Sequence, residues 1–154
     1  MNTLNLLLDQ LEAYISLKDK RNEMVSKASV GWQIDHSLKV FIAVCNWIEN
    51  SNPADYKKQF NFWRLILFPL GYIPRGKARS PKSVLPPEVI TTEDLINQLK
   101  IARHHAKRLK SLPQNAYFKH FIFGMLTSKQ TLRFLEMHTN HHLKIIKDIL
   151  KPER

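Results

Sequence analysis

The segment EMHTNHHLKII places His138, His141 and His142 within one short stretch of the chain. On a helix, residues four apart lie on one face about 6 Å apart along the axis, so His138 and His142 can present two ring nitrogens to a single ion. The apolar residues around them (Leu132, Phe134, Leu135, Met137, Leu143, Ile145, Ile146, Ile149, Leu150) fix the direction of the core. At about 100° per residue His142 nearly shares that direction, His138 misses it by about 60° and His141 by about 120°. The inward pair is therefore His138 and His142, in one seam with Leu135, Ile145 and Ile149. Two imidazoles on a core face cost free energy unless their nitrogens find partners. A metal ion is one such partner; hydrogen bonds within the core, or a place at its rim, are the other.

Two ligands do not make a tight site, so a third is expected from another helix. His36 is the candidate, one turn into the second helix. It lies off the main stripe of Ile34, Leu38, Phe41, Cys45 and Ile48, on a second stripe with Trp32, Val40 and Trp47, which predicts a helix buried on two sides. His120, in an aromatic connector ahead of the last helix, is placed at the pocket as an extra ligand or a proton-handling group. Trp32 is expected to line the same pocket. His104 and His105 stand among Arg103, Lys107 and Arg108 and read as a solvated face. Asp35 and Glu136 adjoin ligands in sequence but read as capping or supporting groups, and no catalytic residue is assigned.

Four helical segments must position these residues. Residues 2–20 carry Leu4, Leu7, Leu8, Leu11, Tyr14, Ile15 and Leu17 at helical spacing. A second helix, capped by Ser29 or Ser26, runs to about Asn50, where Ser51-Asn52-Pro53 stops it. A third starts at Thr92 and runs to about Leu112, ended by Pro113. The fourth, capped by Thr127 or Ser128, runs to Leu150 ahead of Pro152. Between the second and third lies a long excursion with a short helix over about Lys57 to Leu67. Beyond Gly71 the prolines at 74, 81, 86 and 87 forbid regular helix, which predicts an ordered Pro-rich, basic loop packed over one end of the bundle. Gly124 suggests a tight turn in the connector NAYFKHFIFGMLT. No strand pattern is evident, so the expected fold is all-α, a single four-helix bundle over residues 1–154.

The composition narrows the functions. A chain of 154 residues with 44% hydrophobic residues fills one domain, and its apolar runs are far shorter than the roughly 20 residues that span a bilayer. No membrane contact is expected, and with no leader pattern at the N-terminus the expected location is the cytoplasm. The lone cysteine, Cys45, cannot form an internal disulfide and reads as a core residue. The net charge of +11 favours polyanions. The basic residues are nevertheless dispersed as on a solvated surface, without a nucleic-acid-binding motif, so nucleic acid is not the expected partner.

Three stretches, SVGWQIDHSL (Ser29 to Leu38), HFIFGMLTSKQ (His120 to Gln130) and HTNHHLKI (His138 to Ile145), resemble the histidine motifs of the DinB-like and YfiT-like metalloenzyme superfamily, in its branch of unknown function. They stand in that family's order, and the resemblance covers nearly the whole chain. The resemblance implies a four-helix bundle holding a divalent transition metal (zinc, nickel or iron) on one histidine of the second helix and an HxxxH pair of the last, here His36, His138 and His142. It also implies a thiol-dependent transferase or a hydrolase acting on a small molecule, and a homodimer. The sequence departs from the family pattern at Ala28, where tryptophan is usual, and at His120-Phe121, where His-Pro is usual, which bears on the pocket's shape. The basic stretch Arg75 to Lys82 suggests an anionic or thiol-containing substrate entering near Trp32 and His120. The alternative is a non-enzymatic basic helical module that binds nucleic acid or a partner protein, its histidines incidental.

Overall fold

The computed structural model describes residues 3–75 and 82–152. Helix α1 (Thr3–Ala13) buries Leu4, Leu7, Leu8 and Leu11 at the spacing read from the sequence. It stops short of residue 20, and a 3-10 turn over Ile15–Leu17 keeps Ile15 in the core; Asn2 lies outside the described residues. Helix α2 (Val30–Glu49) starts at Ser29, whose hydroxyl accepts from the Trp32 amide, while Ser26 serves the Ala28 amide instead. The start of α2 sits hard against the preceding turn. Gly31 donates its amide to the Lys18 carbonyl at 2.7 Å, and a Cβ at Gly31 would lie 2.9 Å from that oxygen.

Helix α3 (Phe62–Leu70) is capped by Asn61 and ended by Gly71 in the left-handed conformation, φ 60°, so the short helix expected from Lys57 begins later. Arg64 fastens it by donating to the carbonyls of Phe123, Met125 and Gln59. In the basic loop, Lys77 and Arg79 lie outside the described residues. The chain returns through a 3-10 turn, Lys82–Val84, that buries Val84. Helix α4 (Thr92–Arg108) is capped by the Thr91 hydroxyl, with Glu93 and Asp94 in its first turn, where they complement the helix dipole.

The all-α expectation fails in the aromatic connector. Strands β1 (Tyr117–His120) and β2 (Gly124–Thr127) pair antiparallel, Tyr117 opposite Thr127 and His120 opposite Gly124. Gly124 takes φ 69°, so the tight turn expected there closes a hairpin. Helix α5 (Ser128–Ile149) follows directly. Thr127 and Gln130 form a reciprocal capping box at its start, which satisfies two amides that the first turn leaves bare.

Helix α2 packs on α4 and α5, and α1 packs on the same two. The fold is thus mostly helical, with four longer helices enclosing one core and the hairpin beside it. Leu8, Ile34, Leu38, Phe41, Leu95, Leu135, Leu143 and Ile146 are fully buried, each contributing about 1.5–3 kcal/mol of hydrophobic stabilisation. Cys45 is a core residue as expected, and burial pushes its thiol pKa up. Among the described residues, no helix is long and apolar enough to cross a membrane.

Two readings of face are corrected. Trp47 is 68% exposed, so the two-sided burial of α2 is confined to its first half, where every residue from Val30 to Leu38 except Trp32 is buried. His105 is buried rather than solvated. Its Nδ1 lies 2.7 Å from Glu49, which Arg108 also meets at 3.2 Å, so it joins α4 to α2; His104 is exposed as expected. Replacing Gly31 with Ala pushes a methyl into the Lys18 carbonyl. It should cost about 1–3 kcal/mol, seen as a lower urea midpoint with an unchanged slope; an unchanged midpoint would show that this contact gives way freely.

Candidate metal centre

The buried first half of α2 and the middle of α5 face one another, and there the sequence-predicted ligands meet. His36, His138 and His142 each offer one ligand atom, all within 4.8 Å of one another. Ring centroids are 5.5 Å apart for His36 and His138, 4.9 Å for His36 and His142, and 4.6 Å for His138 and His142. His36 and His142 are buried and His138 is partly exposed.

Two rings are oriented by carbonyl oxygens. His36 Nδ1 lies 2.9 Å from the Val84 carbonyl, and His142 Nδ1 lies 2.7 Å from Gln33 Oε1. An amide oxygen only accepts, so each Nδ1 carries the proton and each lone pair is on Nε2. The Gln33 amide is oriented in turn by Ser26 Oγ, 3.4 Å from its Nε2. Metal-binding histidines characteristically donate their second N–H in this way, which fixes tautomer and ring together. Trp32 stacks on the His36 ring at 5.0 Å and 23°, which places it beside the cluster. His141 meets His142 edge-on at 5.1 Å.

Burial lowers the pKa of all three ligand rings, most strongly for His138 and His142, where neighbouring imidazoles add to the effect. At neutral pH the cluster is therefore uncharged, the state a metal requires. An ion about 2.1 Å from each nitrogen would draw them to about 3.4 Å apart. The adjoining carboxylates point away. Asp35 pairs with Lys39 and accepts from Gln98 of α4, both at 2.7 Å, and Glu136 pairs with Arg133 at 3.5 Å.

His120 stands apart from the three ligand atoms. Its Nδ1 accepts the Ile122 and Phe123 amides and so closes the hairpin turn, and its ring packs 4.8 Å from Phe134, which in turn packs 5.7 Å from His138. Burial pushes its pKa down to about 4. Sequence reasoning missed Gln33 and the Val84 carbonyl. A buried glutamine three residues ahead of His36 was a usable signal for the first; nothing local marks the second. Compared with protein-family models, with curated proteins and with solved structures, the chain finds no match in any of the three.

The depressed pKa values give stability a direction with pH. In the unfolded chain each ring protonates near 6.5, whereas the folded chain keeps His36, His120, His138 and His142 neutral to lower pH. Below pH 6.5 the unfolded state binds more protons, so metal-free protein should lose stability as pH falls, by about 1.4 kcal/mol per pH unit for each buried ring still neutral in the fold. Urea midpoints should drop between about pH 7 and about pH 5; a constant or rising midpoint would contradict the buried-neutral assignment.

Proposed function

We propose that this protein is a metal-dependent enzyme of the DinB-like four-helix type, in which His36, His138 and His142 hold one divalent zinc, nickel or iron ion. The observation that carries the reading is the convergence of three neutral imidazoles, two of them with Nδ1 engaged by an oxygen acceptor. Hydrogen bonding alone would satisfy such rings without bringing three ligand atoms together. An all-imidazole donor set suits zinc, nickel or iron better than magnesium or calcium, which prefer oxygen. Three protein ligands leave coordination positions open, and an ion so held polarises a thiol, a carbonyl or a water. The reaction class is a thiol-dependent transfer or a hydrolysis on a small molecule. Trp32 walls the His36 side, Gln33 and the Val84 carbonyl hold two ligand rings in register, and no side chain is assigned as general base.

Elemental analysis of untagged protein should find about one equivalent of transition metal in the wild type and none in a His138→Ala, His142→Ala double variant. Absence of metal from both, even after incubation with zinc, nickel and ferrous iron, would defeat the reading and leave the basic-surface alternative. Gln33→Leu should keep the fold and weaken metal affinity by about 10- to 100-fold, measured by competition with a chromophoric chelator. Unchanged affinity would remove Gln33 from the site.

A further inference from the structure

Beside the histidine cluster lies a cavity of about 410 Å³ between the chain leaving α3 and the outer side of α5. Tyr72, Ile73 and Pro74 give it one wall; Arg75, His141 and Lys144 give it another. We propose that this cavity is an anion-binding subsite for a small organic molecule with a carboxylate or phosphate head and a short apolar stem, and that it anchors the substrate of the adjoining metal centre. Only the second half rests on the metal-enzyme reading; anion binding does not.

The wall is ordered for this purpose. Arg75 donates from Nη2 to Asp148 at 2.7 Å, and Asp148 is held from its other oxygen by Lys151 at 2.7 Å. One guanidinium nitrogen is thereby engaged, and the remaining N–H groups present a fork geometry suited to an oxyanion. Lys144 stands three residues after His141 on α5, the spacing that places two side chains on one helical face. His141 and Ile73 both line the cavity. Among the described residues, the charged groups lining the cavity are Arg75 and Lys144, and Asp148, which pairs with Arg75, is also paired with Lys151, so the lining is net positive and attractive to anions. Its volume falls in the usual range for small-molecule sites, and its apolar wall suits a hydrocarbon or aromatic stem. The link to the metal centre is His141, whose ring is in the cavity wall and meets the His142 ring at 5.1 Å. A molecule anchored by its anionic end is thus one ring away from the ligand cluster.

The test is an amide-resolved NMR titration of the full chain, stripped of metal by chelator, with phenyl phosphate and with benzoate as probes. Saturable shifts should centre on Tyr72, Ile73, Arg75, His141 and Lys144 for at least one probe, and the tighter probe identifies the head group. Lys144→Glu, at an exposed position, should weaken binding about tenfold or more, and Arg75→Gln should do the same. Binding should persist in His142→Ala, which separates this subsite from the metal reading. Shifts that appear only in metal-loaded wild-type protein and vanish in His142→Ala would mean that the anion sits on the ion and would overturn the subsite. So would affinity unchanged by Lys144→Glu and Arg75→Gln, or the absence of saturable shifts for both probes.

Discussion

Three imidazoles packed together, two buried and one partly exposed, set the terms for the rest of this structure. Each ring brings one donor and one acceptor into surroundings where an unmet polar group costs about 1–3 kcal/mol. Part of the chain's architecture supplies those partners. Gln33 reaches His142 from the turn of α2 that precedes His36, and Val84 delivers a carbonyl to His36 from the excursion after α3. The start of α2 is held further back still, by the Ser29 cap and by the close seat of Gly31 on Lys18.

Helix α2 carries two kinds of cohesion at once. Its apolar stripe fills the core, while its polar side chains tie it to α4 at points well separated along its length. Asp35 accepts from Gln98 near the start, and Glu49 receives His105 and Arg108 at the end. Apolar packing is non-directional and tolerates sliding, whereas these charged and hydrogen-bonded links fix register. The N-terminal link leaves Asp35 bound to α4 and Lys39, so the carboxylate beside His36 in sequence belongs to the helix packing rather than to the site.

The His138 and His142 pair is legible in the sequence because helical geometry turns both toward the core side of α5, whose apolar periodicity is strong enough to measure the angle. His36 was harder to place, since its stripe includes Trp47, which the fold exposes, and the evidence for burial lies in neighbours that the linear pattern does not name. The hairpin escaped notice because two four-residue strands offer too little alternation against an aromatic background, and its closure depends on His120 serving backbone amides. His105 was misjudged by its company. Arg103 and Arg108 resemble a solvated face, yet Arg103 pairs with Asp9 and Glu12 of α1 and Arg108 pairs with Glu49, contacts made across long stretches of chain. Local pattern conveys which way a side chain points; it does not convey what arrives from elsewhere.

The hydrogen bond from His36 to Val84 closes a loop of chain between residues 48 apart in sequence. The entropy of closing such a loop grows only logarithmically, by about 0.6 kcal/mol for each doubling of its length. The excursion between α2 and α4 can therefore change in length with little thermodynamic consequence, provided that the Val84 carbonyl still arrives at the His36 ring and that α3 and the Tyr72 to Arg75 stretch keep their seats. The point of return is thus set more tightly than the path that leads to it: one backbone oxygen, 48 residues along the chain, fixes the ring of His36.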